Sequence, residues 1–122
     1  MKKIYHLGNC TTCQAIIKET GIDALRQAQG GFDMQNIKED KITATQLEEM
    51  KKMTGSYESL FSRRAMKYKE LGLKDKKLNE KDYRKLILDE YTFLKRPVVI
   101  VNDEIFVGNE KKTIESLKKA VR

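Results

Sequence analysis

The stretch Lys3-Ile4-Tyr5-His6-Leu7-Gly8-Asn9-Cys10-Thr11-Thr12-Cys13-Gln14-Ala15-Ile16-Ile17 decides the fold, because its pattern changes character at Cys10. Residues 3–7 are short, β-prone and followed by Gly8-Asn9, which reads as a strand ending in a turn. From Cys10 the pattern is helical: Ala15, Ile16 and Ile17 lead toward Thr20, and Gly21 fits a helix C-cap. A strand running directly into a helix that opens on Cys10-Thr11-Thr12-Cys13 predicts an α/β fold with its chemistry at the junction.

Outward from that junction, Phe32 to Ile37 predicts a second strand. Thr43 with Gln46 makes a capping box, and Ile42 is placed to pack on Leu47 as a hydrophobic staple. Gly55-Ser56 ends that helix and opens a next one, in which Tyr57, Leu60, Phe61, Arg64, Ala65, Tyr68 and Leu71 recur at helical spacing. Asn79 with Asp82 caps a third helix, stapled by Leu78 and Tyr83 and continued by Leu86, Ile87 and Tyr91. After Arg96-Pro97, the apolar runs Val98 to Val101 and Ile105 to Val107 form a hairpin about Asn102-Asp103-Glu104. Gly108-Asn109 then turns into an amphipathic helix through Ile114, Leu117 and Val121. The expected order is β-α-β, an all-helical insertion over about residues 43–94, then β-β-α, in one domain spanning residues 1–122.

The position of Cys10 matters chemically. The unpaired N–H groups and the dipole of a helix start stabilise negative charge. The thiolate is the reactive form of cysteine, and such a site lowers a cysteine pKa from about 8.5 into the range of roughly 3.5–7.5. Cys13 lies at i+3 on the same helix face, where Cβ atoms are about 5–6 Å apart. A disulfide needs about 3.5–4.5 Å, so a modest local shift closes it. A zinc site fits poorly, because structural zinc takes four ligands and Cys10, Cys13 and the one histidine, His6, supply three.

Composition narrows the class. The two cysteines, three residues apart, do not make the dispersed framework of a disulfide-stapled secreted domain. The opening MKKIYHLGNC lacks the apolar run of a signal peptide, and no segment approaches the roughly 18 apolar residues of a membrane helix, so a cytoplasmic location is expected. The net charge of +7 favours an anionic partner or an oxyanion substrate. Direct nucleic-acid binding is not expected, because the basic residues interleave with acids and no aromatic platform sits among them. No nucleotide- or flavin-binding glycine pattern occurs, so no cofactor is expected and electrons should come from a thiol donor such as glutathione with glutaredoxin, or thioredoxin.

The segments YHLGNCTTC, LFSRRAMKYKELGL and FLKRPVVIVNDEIFVG, in this order and spacing, resemble the arsenate reductase (ArsC)/Spx family across nearly the whole chain. The resemblance implies a thioredoxin-like (glutaredoxin-like) βαβ…ββα fold with a helical insertion lobe between strands two and three. It implies Cys10 as nucleophile and Arg96 as an anion-site residue. It implies Arg64 as the arginine of the middle motif, with the adjacent Arg63 as the alternative. His6 matches a histidine of the arsenate reductase branch that tunes the thiolate. Pro97 stands where such folds place a cis proline facing the active cysteine; a trans proline opening a strand fits the sequence as well.

Three departures bear on function. The arsenate-reducing branch uses a further arginine in the final hairpin region, where this chain has Val107-Gly108-Asn109, and an arginine soon after the catalytic cysteine, where it has Gln14. Cys13 is instead shared with Spx-like members, transcriptional regulators that bind the RNA polymerase α subunit. The leading expectation is an ArsC-like thiol oxidoreductase acting on an oxyanion or disulfide substrate with a thiol donor protein as partner. The alternative is an Spx-like redox-sensing regulator.

Overall fold

The computed structural model describes residues 2–7, 11–22 and 32–121; the expected turn at Gly8-Asn9 and Cys10 itself lie outside them. Strands β1 (Lys2–His6), β2 (Asp33–Asn36), β3 (Val98–Val101) and β4 (Glu104–Val107) form one sheet in the order β2-β1-β3-β4. β1 runs parallel to β2, from Lys3 beside Asp33 to His6 beside Asn36. It runs antiparallel to β3, from Lys2 beside Val101 to Tyr5 beside Val98. A parallel pair needs a crossover, and helix α1 (Thr11–Thr20) lies in the connection between β1 and β2. It ends at Gly21, whose φ of 79° is the left-handed C-cap conformation that glycine adopts without a Cβ clash. This is the βαβ…ββα order expected from the sequence.

Residues Met1–Asp40 and Arg96–Arg122 form one compact unit, and Lys41–Lys95 a second. In the first, Ile4, Val99, Val101 and Phe106 share a core with Ile16 and Ile17 of α1 and with Leu117 of the C-terminal helix (Lys111–Val121). Burying each large aliphatic of this set contributes roughly 1.5–3 kcal/mol. Lys118 reaches Glu19 across the two helices at 2.6 Å. All four residues of β3 are buried, as a continuous β-branched run in a central strand requires. The hairpin turn is Asn102-Asp103, with Asn102 at φ 56°; Glu104, expected in the turn, is the first residue of β4 and pairs with Val101.

The second unit begins with helix α2 (Ala44–Thr54), which carries the expected capping box of Thr43 and Gln46 and stops at Gly55 with φ 97°. The single helix expected from Tyr57 to Leu71 does not form. A 3-10 turn covers Glu58–Leu60, Phe61 is extended and bridges antiparallel to Leu94, and only Met66–Glu70 (α3) is helical. The reason is tertiary: the Phe61 ring stacks on Phe93 at 5.0 Å and lies 4.9 Å from Tyr83, contacts that an uninterrupted helix does not provide. The insertion is therefore not all-helical. Helix α4 (Glu80–Asp89) has the expected Asn79–Asp82 capping box, but Tyr91 falls beyond it in a 3-10 turn, Tyr91–Phe93. The C-terminal helix, Lys111–Val121, is α5.

Candidate active site

Of the expected site residues of the first unit, His6 and Pro97 meet at one end of the sheet. β1 ends at His6, and residues 7–10 alone separate it from the first turn of α1. Extending the antiparallel register one step past Tyr5 and Val98 aligns His6 with Pro97. The same step past Val98 and Val107 aligns Pro97 with Gly108, where the Gly108 N–H donates to the Pro97 carbonyl at 2.9 Å. On the other side His6 is beside Asn36, and its carbonyl accepts from the Ile37 N–H at 2.9 Å. Asn36, His6, Pro97 and Gly108 thus form a row across the strand ends.

The Arg96–Pro97 peptide is cis, which decides between the isomers that the sequence left open. Pro97 is buried, and Arg96 before it is partly exposed and, among the described residues, has no carboxylate partner. Cys13 is the third residue of α1 and is fully buried, while Thr11, Thr12 and Gln14 around it are exposed. Cys10 lies outside the described residues. The chemistry available here is that of a helix N-terminal turn, whose positive dipole end favours an anion or a thiolate. Arg96 adds a cation that, among the described residues, no carboxylate pairs with.

Asn109 and Lys111, beyond the row, line an open depression of about 370 Å³ with Glu19, Ile114, Glu115 and Lys118. Among the described residues, no three His, Cys, Asp or Glu side chains converge as a metal-ligand set.

The two arginines of the middle motif belong to the second unit, and they differ. Arg63 donates from Nη2 to Glu58 Oε2 at 3.0 Å and to the Tyr83 hydroxyl at 3.2 Å. Partial burial pulls its pKa down, but the hydrogen bond it donates to Glu58 and the charges of Tyr83 and Glu58 outweigh this and hold it above its usual value. Tyr83 is pushed up by burial first and by its hydrogen bond to Glu58 second, with Arg63 opposing. Arg64 is exposed and, among the described residues, forms no ion pair. Glu58 and the Tyr83 hydroxyl carry no local signal in the sequence: the pattern places Tyr83 in a helix staple, and nothing local links it to an arginine 20 residues earlier.

A four-stranded mixed sheet with this order, a helix N-terminus after β1 and a cis proline before β3 is a thioredoxin-like arrangement, and the chain superposes on solved structures. An arsenate reductase from Vibrio cholerae superposes with a TM-score of 0.72 at 19% identity, over 98% of this chain and 96% of that one. An arsenate reductase (ArsC) related protein from Brucella melitensis gives 0.67 at 19% identity, over 94% and 92%. A Staphylococcus aureus protein gives 0.68 at 25% identity, over 95% and 97%. No curated protein matches the chain at a significant level. The ArsC family model matches residues 5–117, which takes in both the β1–α1 junction and the Arg96-Pro97 segment, and on that match the chain belongs to the ArsC family.

Proposed function

We propose that this protein is an ArsC-like thiol-disulfide oxidoreductase in which Cys10 is the nucleophile, Cys13 the resolving thiol, and Arg64 and Arg96 hold an anionic group of the substrate. The observation that carries the reading is the row at the sheet end, where Pro97, next to Arg96, aligns with His6, the last residue of β1 and four residues before Cys10. Arg64 is preferred to Arg63 because the Arg63 guanidinium is already engaged by Glu58 and Tyr83.

The Cys10 thiolate attacks one sulfur of a substrate disulfide, forming a mixed disulfide while the other sulfur leaves and takes a proton. Cys13, deprotonated, then attacks the Cys10 sulfur, forming the Cys10–Cys13 bond and releasing the second substrate thiol. The substrate gains two electrons, both from the cysteine pair, and two protons, one from the Cys13 thiol and one from solvent. An external thiol donor such as glutathione with glutaredoxin, or thioredoxin, reduces the pair again. Such a cycle belongs in a reducing compartment, and we place the protein in the cytoplasm. Among the described residues no helix is long and apolar enough to cross a membrane.

A second reading, an Spx-like regulator that binds the RNA polymerase α subunit, draws on Cys13 and on the exposed lysines Lys111, Lys112 and Lys119 of α5. Turnover of a glutathionylated peptide, coupled to glutathione and glutaredoxin or to thioredoxin, separates the two. The oxidoreductase turns over repeatedly and Cys10→Ser stops it. A protein with no turnover from either donor that is retained by the polymerase α C-terminal domain is the regulator.

A further inference from the structure

Arg63 and Arg64 are adjacent in the turn before α3, yet among the described residues only the Arg63 side chain is held by hydrogen bonds. The turn itself is anchored on its N-terminal side, where the Ser62 N–H donates to the Phe93 carbonyl at 2.6 Å and the Lys95 N–H to the Leu60 carbonyl at 2.8 Å. On its C-terminal side it is anchored by the buried Ala65. Between these points the Arg63 side chain closes a ring of hydrogen bonds. Its Nη2 donates to Glu58 Oε2 and to the Tyr83 hydroxyl, and the Tyr83 hydroxyl donates to the same Glu58 oxygen at 3.2 Å. Glu58 is in turn fixed, because its N–H and that of Tyr57 donate to the Glu80 carboxylate at 3.1 and 2.7 Å. The Tyr83 ring is set by its contact with Phe61.

We propose that Arg63 is a positioning residue: its clamp onto Glu58 and Tyr83 orders the turn that presents Arg64 to an anion. The inference rests on the assignment of Arg64 to the anion site made above. Its physical basis is preorganisation. A guanidinium offered from an already ordered turn does not lose that backbone freedom on binding, so more of its interaction with the anion appears as affinity. The Arg63–Glu58 pair is half exposed, with side-chain exposures of 50% and 56%, and exposed pairs add little to global stability. Loss of the clamp therefore reads out at Arg64 more than in the unfolding midpoint.

The test uses the full chain labelled with nitrogen-15, as wild type, Arg63→Ala, Arg63→Lys, Tyr83→Phe and Arg64→Ala. Two quantities are measured: the backbone order parameter at residue 64, and affinity for inorganic sulfate by titration. In the wild type the order parameter at Arg64 is expected near about 0.85, falling below about 0.6 in Arg63→Ala. Sulfate affinity should drop roughly 10- to 100-fold in Arg63→Ala, as expected for a displaced binding group. Arg63→Lys should not restore it, because lysine keeps the charge but not the planar guanidinium. Tyr83→Phe keeps the core ring and should move both readouts in the same direction by less, so the proposal stays testable if Arg63→Ala folds poorly.

An unchanged order parameter in both Arg63→Ala and Tyr83→Phe overturns the clamp. Wild-type sulfate affinity in Arg63→Lys reduces Arg63 to a general positive charge and also overturns it. Sulfate binding lost in Arg64→Ala but intact in Arg63→Ala removes the positioning role alone and leaves the anion site standing. Sulfate binding that survives Arg64→Ala, or is absent from the wild type, overturns the anion-site reading and the proposal with it.

Discussion

Gly108 donates its N–H to the Pro97 carbonyl at 2.9 Å from a left-handed conformation, φ 87°. A Cβ built on Gly108 meets nothing within 4 Å, so space does not require glycine here and backbone conformation does. An L-residue in this region costs about 1–2 kcal/mol. Gly108→Ala is expected to lower unfolding stability by about that much, and Gly108→Asn by less, since asparagine tolerates the left-handed region. Urea denaturation of the variants measures it; equal stability of wild type and Gly108→Ala would mean that the turn relaxes out of this conformation.

The cysteine pair makes a separate prediction. Cys13 is fully buried on the first turn of α1, so in the folded protein it should alkylate slowly at neutral pH. Cys10, the expected nucleophile, should alkylate first. Mild oxidation should then remove two titratable thiols per chain without forming dimers. Peptide mass spectrometry decides: intermolecular links alone, or two persistently reduced thiols, would exclude Cys13 as the resolving group.

Tyr83 gives the unit Lys41–Lys95 a pH dependence. Its pKa is raised above the ordinary 10.0, chiefly by burial and then by the hydrogen bond to Glu58. A group whose folded value is raised stabilises the fold fully below its unfolded value and loses that contribution as pH climbs through the folded one. Wild-type stability should therefore fall above about pH 10 more steeply than that of Tyr83→Phe, which has no phenol to ionise. At neutral pH Tyr83→Phe should be less stable than wild type by about 0.5–1.5 kcal/mol for the lost hydrogen bond, a gap that narrows at alkaline pH. Parallel denaturation curves at both pH values would contradict this.

What could be read from the sequence was local. The capping boxes at Thr43 and Asn79 each involve residues three apart, and both formed as expected. The hairpin about Asn102 and the strand-to-helix change after His6 were equally local. Tyr57 to Leu71 misled because its apolar residues happen to fall at helical spacing, while Phe61 is held by Phe93 and by a bridge to Leu94, more than thirty residues away. The site divides in the same way. Arg96-Pro97 and the Cys10-Thr11-Thr12-Cys13 motif are each contiguous in the sequence, but the engagement of Arg63 depends on Tyr83, and no sequence pattern encodes that meeting.

Arg96 offers a test that does not depend on knowing the substrate. If it faces Cys10, its cation stabilises the thiolate, and Arg96→Ala should move the pH dependence of Cys10 alkylation upward. Arg96→Lys should retain most of the effect, since the charge is kept. An unmoved alkylation profile in Arg96→Ala would return Arg96 to the surface.

Arsenate itself should be a poor substrate. Holding a doubly charged oxyanion beside a thiolate requires several fixed cations or N–H donors to offset like charges. Arg96 and Arg64 are available by our reading, but Arg63 is engaged by Glu58 and Tyr83, and the hairpin end carries Asn109 where the arsenate-reducing branch is expected to have arginine. Lys111 lines a depression that it shares with Glu19 and Glu115, whose carboxylates work against a bound anion. Removing one such donor typically lowers the rate about 100- to 1000-fold. Cys13 also gives any first covalent intermediate an internal route to a disulfide, in competition with an external thiol. In a glutathione- and glutaredoxin-coupled assay we expect slow arsenate-dependent turnover beside clear exchange with a glutathionylated peptide. Asn109→Arg should raise the arsenate rate and leave disulfide exchange unchanged. Vigorous arsenate turnover by the wild type would show that another basic residue already fills that position, and Lys111→Ala, which should then abolish it, identifies whether that residue is Lys111.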